Sequence, residues 1–145
     1  MKIITFGSIK EQNLRALEAD YLKRLKGAWP VVVTELKCES NPRKEAESLL
    51  SFLPNRAFLV ALDEKGQQFT SSLFTQFLAE RLNDSQKPLY FAIGGAFGWD
   101  ETVRIRGDLI LALSQLTFPH QLARLILIEQ IYRAYTIIRG MPYHK

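Results

Sequence analysis

Cysteine is nearly missing from this chain. Cys38 stands alone among 145 residues, which rules out an internal disulfide, and no Cys/His cluster has the spacing of a zinc site. Long apolar runs are missing too. None approaches the ~18 residues that a membrane-spanning helix needs, and the opening Met1–Gly7 stretch meets charge too early to act as a signal peptide. There is no internal repeat, no low-complexity tract and no Pro/Ser/Gly-rich linker. These absences point to one domain over residues 1–145, cytoplasmic and metal-free. Hydrophobic content of 47% and charged content of 23% are ordinary for a globular protein, and a chain of this length buries roughly 70% of its unfolded surface.

Charge of either sign is scarce as a block, but its placement is uneven. The net charge is +4. Between His120 and Lys145 four basic residues (Arg124, Arg133, Arg139 and Lys145) face one acid, Glu129, whereas residues 61–119 carry a slight acidic excess. A basic end fits a polyanionic partner; a solvated charged face accounts for the charge alone equally well.

What is present is an alternation of apolar strand-like runs with helix-like stretches. Lys2–Phe6 reads as a strand, and Gln12–Leu25 as a helix with Leu14, Leu17, Tyr21 and Leu25 on one side. Residues 31–36 are β-branched and strand-like after the break at Gly27 and Pro30. Asn41-Pro42 opens a second helix, since Asn caps well and Pro fits a first turn. Residues 57–66, "AFLVALDEKG", form a buried strand expected to end at Asp63 and turn at Gly66. A helix over 70–82 bears Leu73, Phe74, Phe77 and Leu78. The apolar run "PLYFAIGG" at 88–95 has the character of a central parallel strand. A short helix over 100–106, a strand over 109–113 and a helix over His120–Ile138 complete the chain. The order implies an α/β fold, with a mostly parallel sheet and helices on both faces.

In such sheets ligands bind at the carboxyl ends of the strands. Three loops leave those ends in the second half, after Leu62, after Ile93 and after Leu113. Gly94-Gly95 lets the backbone turn sharply or approach a ligand closely. The segment is neither a Walker loop nor a dinucleotide fingerprint. With no Lys or Arg between Gly94 and Trp99, it suits an uncharged ligand part such as a nucleoside better than a phosphate; a plain strand-to-helix turn is the structural alternative. In "LSQLTFP", Leu113 to Pro119, main-chain groups fit an adenine edge while Leu116 and Phe118 cover its faces, although a helix start would use the same residues. His120 reads as a capping or packing residue, and Cys38 has no base nearby to activate it.

The last helix is apolar on three sides. Leu127, Ile131, Ala134 and Ile138 form one stripe, Leu125, Ile128, Tyr132 and Tyr135 another, and Leu122, Ile126 and Ile137 lie on a third. A surface helix needs one such stripe, so a second subunit is the economical cover for another side, and a homodimer through this helix is expected. The tail 139–145 gathers Arg, Tyr, His and Lys, residue types that stack on bases, contact phosphates and move protons.

"AIGGAFG", and then "LSQLTFPHQLARLILIEQIYRAYTIIRGMPYHK", closely resemble the small bacterial SPOUT methyltransferases that modify a pseudouridine of 23S ribosomal RNA at N3. The resemblance spans the chain from "KIITFG" to "PYHK", is most specific over the last ~55 residues, and is loose before Ala57; the region 38–46 is shorter than is common in the family. Membership implies a C-terminal trefoil knot, an exception to the rule against threaded chains. It implies S-adenosylmethionine held by Leu62, Gly94, Leu113, Ser114, Gln115, Leu116, Thr117 and Phe118. It further implies a homodimer whose tail reaches the opposite subunit's cofactor, with 23S rRNA in the large subunit or whole ribosome as partner.

The imide N3–H of a pseudouridine must lose its proton for methyl transfer, which calls for a base or a positive charge. His144 is the candidate base, Tyr143 a positioning or stacking group, and Arg139 an electrostatic contact. Arg124, Arg133 and Lys145 are candidate phosphate contacts. The competing readings are a related methyltransferase acting on another RNA such as tRNA, a noncatalytic ribosome-binding module, and a flavodoxin-like mononucleotide or signalling domain.

Overall fold

The computed structural model describes residues 1–84 and 86–144. Ten elements alternate along the chain: β1 (Lys2–Phe6), α1 (Gln12–Leu25), β2 (Val32–Leu36), α2 (Pro42–Phe52), β3 (Phe58–Gln68), α3 (Ser71–Asn83), β4 (Leu89–Ile93), α4 (Glu101–Arg106), β5 (Leu109–Ala112) and α5 (His120–Ile138). The strands pair in the order β2-β1-β4-β3-β5, and each of the four pairings is parallel.

Side chains of a strand alternate between the two faces of the sheet, and the core divides accordingly. Phe91 of β4 and Val60 of β3 face the same side as Ile3 of β1, where they meet Leu25 of α1, Phe74 and Leu78 of α3, and Leu127, Ile128 and Ile131 of α5. On the other side Ile4, Leu59, Ala61, Tyr90 and Ala92 meet Ala46, Leu49 and Leu53 of the α2 region, with Trp99 and Val103 around α4. The helices therefore form two layers, with α1, α3 and α5 on one face and α2 and α4 on the other.

Local chemistry explains most helix starts. Asn41 caps α2 by accepting from Lys44 N, Thr70 caps α3 through Leu73 N, and Asp100 caps α4 through Thr102 N. Each side-chain oxygen takes up an N–H that the first helical turn leaves open.

The structure corrects two sequence-based expectations. β3 does not end at Asp63: it runs on to Gln68, with Leu111 of β5 opposite both Leu62 and Gln67, so residues between them bulge out of register. A Cβ on Gly66 would stand 2.7 Å from the backbone of Ile110, and only a glycine lets the two strands approach that closely. On α1, Leu17 is 46% exposed while Glu18 is buried, because Glu18 meets a buried arginine from α5. α5 itself packs between α1 and α3 on its face of the sheet. The outward side keeps Leu122 exposed and Ile126 and Ile137 half-buried.

Candidate functional site

Strands β4, β3 and β5 lie side by side, so the loops after β4 and β5 meet the bulged stretch of β3 just beyond its last pairing with β4, Leu62 with Ile93. They enclose a cleft of about 660 Å³ lined by segments 62–65, 93–99 and 113–120, within the size range of small-molecule sites. Of the eight residues expected at a cofactor, Leu62, Gly94, Leu113, Ser114, Leu116, Thr117 and Phe118 line this cleft; Gln115 is exposed and does not.

The loops are tied to one another by contacts that join distant parts of the chain. The indole N–H of Trp99 donates to the Leu62 carbonyl at 2.8 Å, fixing the second loop to the first. The Thr117 hydroxyl donates to Glu64 at 3.3 Å, linking the third. Arg104 of α4 bonds the carboxylate of Asp63 at 2.7 Å; the Asp63 side chain is 7% exposed, so this pair is shielded and stiffens the β3 exit. Gly95 N–H donates to the buried carboxylate of Glu45 at 3.1 Å.

The two glycines are tightly confined. A Cβ on Gly94 would lie 3.2 Å from the Trp99 ring, and one on Gly95 would overlap the Glu45 carboxylate. A valine at 94 therefore acts by displacing Trp99 rather than by filling the open cleft. Gly95, Ala96, Phe97 and Gly98 make a turn closed by Gly98 N–H to Gly95 C=O. Phe97 and Leu116 are 65% and 72% exposed, giving the mouth of the cleft two bare apolar side chains. Trp99, Asp63, Arg104, Glu45 and His120, which also lines the cleft, were not singled out as site residues from sequence. Trp99 had a faint local signal, an aromatic directly after a glycine-rich turn; the others had none.

The tail lies elsewhere. α5 starts at the cleft and runs 19 residues, about 28 Å, to its far end. There Gly140 takes φ +62°, Gly140 N–H bonds Ile137 C=O, and Met141 N–H bonds Thr136 C=O. This pair of bonds reverses the chain at a helix end. The tail folds back until the Tyr143 hydroxyl donates to Glu129 at 3.0 Å and accepts from Tyr21 at 3.1 Å. The Tyr143 ring meets Tyr132 edge-on, and Arg133 stacks over it at 5.0 Å. Burial first, and then the bonds with Tyr21 and Glu129, push the Tyr143 phenol well above its usual pKa; it stays protonated across neutral pH and is a donor, not a base. His144 is exposed, with Nδ1 3.4 Å from Arg133. Arg139 is exposed, and Lys145 lies outside the described residues.

Glu129 is nine positions from His120, roughly 14 Å of helix. The expected cofactor residues and the expected catalytic residues therefore form two separate groups within one chain.

Arg124 is corrected as a phosphate contact. It is 6% exposed, and its guanidinium bonds both oxygens of Glu18 and, at 2.7 Å, Glu35. Burial opposes its charge, but the bonds with Glu18 and Glu35 outweigh that effect and its pKa is raised. With its donors so engaged, Arg124 fastens α5 to α1 and β2. Arg133, bonded to Glu129 at 2.7 Å, remains part-exposed. Among the described residues no group of three or more His, Cys, Asp or Glu is placed to hold a metal, and no helix is long and apolar enough to cross a membrane.

The family model described as "Predicted SPOUT methyltransferase" matches residues 1–144. Similar proteins carry the name "Ribosomal RNA large subunit methyltransferase H". The one from Carboxydothermus hydrogenoformans is 41% identical, with 99% of this chain and 98% of that protein covered. Its counterpart in Geobacter metallireducens is 40% identical over 99% of this chain and 97% of that protein. The Streptococcus suis protein is 38% identical over 100% of this chain and 99% of that protein.

Proposed function

Since this chain belongs to the SPOUT methyltransferase family, we propose that it is the S-adenosylmethionine-dependent enzyme that methylates N3 of a pseudouridine in 23S rRNA, acting in the cytoplasm on the large subunit or assembled ribosome. The observation that carries this reading is the cleft between the carboxyl ends of β4 and β5 and the bulge of β3, where seven of the eight anticipated cofactor residues converge.

The residues present fit that cofactor. The confined glycines leave main chain at the wall of the cleft, Leu116 and Phe118 supply apolar surface for a flat base, and no Lys or Arg interrupts residues 94–99. When bound, S-adenosylmethionine supplies an electrophilic methyl group on a sulfonium. The chain's own work is to orient it and to prepare the acceptor, because an in-line displacement gains much of its rate from alignment.

The acceptor side falls to the tail. His144 takes the N3 proton, while Tyr143, held protonated by Glu129 and Tyr21, positions the base. Arg133 and Arg139, with Lys145, contact phosphate, which makes binding salt-dependent.

The separation of tail and cleft within one chain supports a homodimer in which each tail completes the partner's cleft. The outward side of α5, with Leu122, Ile126 and Ile137, is the surface proposed to carry the contact. The trefoil knot belongs to the same reading: α5 re-enters between α1 and α3 over the sheet's centre, although the strand that feeds it, β5, lies at the edge.

Cofactor titration followed by methyl transfer to purified ribosomes tests the proposal. Binding together with one new N3-methylated pseudouridine in 23S rRNA is the expected result. Methylation of tRNA instead would transfer the activity to another RNA, and absence of cofactor binding would leave a noncatalytic ribosome-binding module.

A further inference from the structure

Glu45 is a carboxylate in an unexpected place. It lies in the first turn of α2, on the face of the sheet opposite α5, and is 2% exposed. Its position near a helix N-terminus favours negative charge, but a buried carboxylate still needs a partner. The partner is main chain from the other half of the molecule: Gly95 N–H, fifty residues away, donates to Oε2 at 3.1 Å.

The geometry of a peptide unit gives that bond a consequence. Among the described residues there are no cis peptide bonds, and across a trans peptide the N–H and C=O point in opposite directions. The N–H of Gly95 and the carbonyl of Gly94 share one such unit. Anchoring the N–H on Glu45 fixes the plane of this unit and turns the Gly94 carbonyl to the side opposite Glu45; Gly94 itself lines the cleft. Two further contacts prevent this unit from rotating: the Trp99 ring packs against Gly94, and the Gly98 N–H engages the Gly95 carbonyl.

We propose that Glu45 is a positioning residue of the cofactor cleft, holding the Gly94–Gly95 peptide so that the Gly94 carbonyl accepts a hydrogen bond from a hydroxyl or amino donor of the bound adenosyl group. The inference rests on the cleft being the cofactor site, and its test separates the two. Glu45 touches neither cofactor nor substrate; it acts through one peptide plane. Glutamine at this position keeps an acceptor oxygen at the same reach, whereas alanine leaves the Gly95 N–H without a partner.

Three chains, wild type, Glu45→Ala and Glu45→Gln, are compared by calorimetric titration with S-adenosylmethionine, by methylation kinetics on ribosomes, and by hydrogen exchange of the Gly95 amide in cofactor-free protein. Loss of a charge-assisted bond predicts about tenfold weaker cofactor affinity in Glu45→Ala, with KM for the cofactor raised and KM for ribosomes unchanged. The Gly95 amide exchanges faster in that variant. Glu45→Gln restores affinity to within about threefold and restores the amide's protection. Wild-type affinity in a folded Glu45→Ala chain overturns the proposal, as does a Glu45→Gln chain as impaired as the alanine variant. A wild-type chain with no affinity for the cofactor overturns the reading of the cleft itself, and amide exchange then still decides whether Glu45 anchors the loop.

Discussion

Around His120, at the start of α5, glycines 94, 95 and 98 and the apolar Leu62, Phe97, Leu116 and Phe118 share the walls of the cleft with Asp63, Glu64, Lys65 and Arg104. Around Glu129 and Tyr143, toward the other end of the same helix, polar side-chain atoms and aromatic rings make the contacts. The first surface suits a ligand with a flat apolar part and polar substituents. The second suits a polyanion and a proton transfer. One helix carries both, and its length keeps them apart. The two arginines on that helix repeat the contrast: Arg124, near the cleft end, is sealed between Glu18 and Glu35, whereas Arg133 holds the tail and stays part-exposed. The same residue type fastens the fold in one place and faces outward in the other because only one of them is buried against two acids.

Several changes separate these regions experimentally. The largest effect comes from deleting residues 143–145: ribosome methylation falls by about 10²- to 10⁴-fold, the range of a lost acid–base group, while calorimetric cofactor affinity is unchanged. Equal loss of both would collapse the division between the two ends. Arg124→Ala tests the fastening role. It leaves Glu18 buried without its partner and costs about 3–5 kcal/mol of stability in denaturant unfolding. A change below ~1 kcal/mol there would mean that Arg124 belongs with the surface cations.

At the cleft, Gly94→Val displaces Trp99 and weakens cofactor binding at least about tenfold, with the tail's contacts to Glu129 intact by NMR. Trp99→Phe is milder. It keeps the ring against Gly94 but removes the bond to the Leu62 carbonyl, worth about 1 kcal/mol and so roughly fivefold in cofactor affinity by calorimetry. An unaltered affinity in Trp99→Phe would show that the bond between the first two loops does not shape the site.

Much of the framework was readable from local patterns. The ten alternating elements follow from apolar runs bounded by Gly, Pro and Asn, and the limits of α5 coincide with the expected His120–Ile138. The three lining segments could be named because a parallel sheet places ligands at strand ends, although the one after Leu62 proved to be a bulge within β3. Pairings between distant residues left no such trace. Glu18 lies off the apolar stripe of α1 and turns inward to meet Arg124, 106 positions away. Glu45 looked like any acid in a first helical turn, and nothing near Tyr21 announced that it would hold Tyr143. Leu17 is exposed despite its place in the apolar stripe, because the buried ion pair of Glu18 and Arg124 outweighed that stripe. β3 was shortened in the reading because a glycine that permits close strand approach has the same appearance as one that makes a turn.

The central claim, that a cleft and a tail from different chains form one catalytic site, is tested most directly with mixed dimers. Chains carrying Gly94→Val are mixed and reassorted with chains lacking residues 143–145, at a cofactor concentration low enough that each parent alone is nearly inactive. If the tail serves the partner's cleft, the mixture regains about a quarter of wild-type ribosome methylation per chain, as random pairing into two-fold dimers gives half mixed dimers with one competent site each. If the mixture stays as inactive as its parents while mixed dimers are demonstrably present, the tail does not work across chains and the account fails.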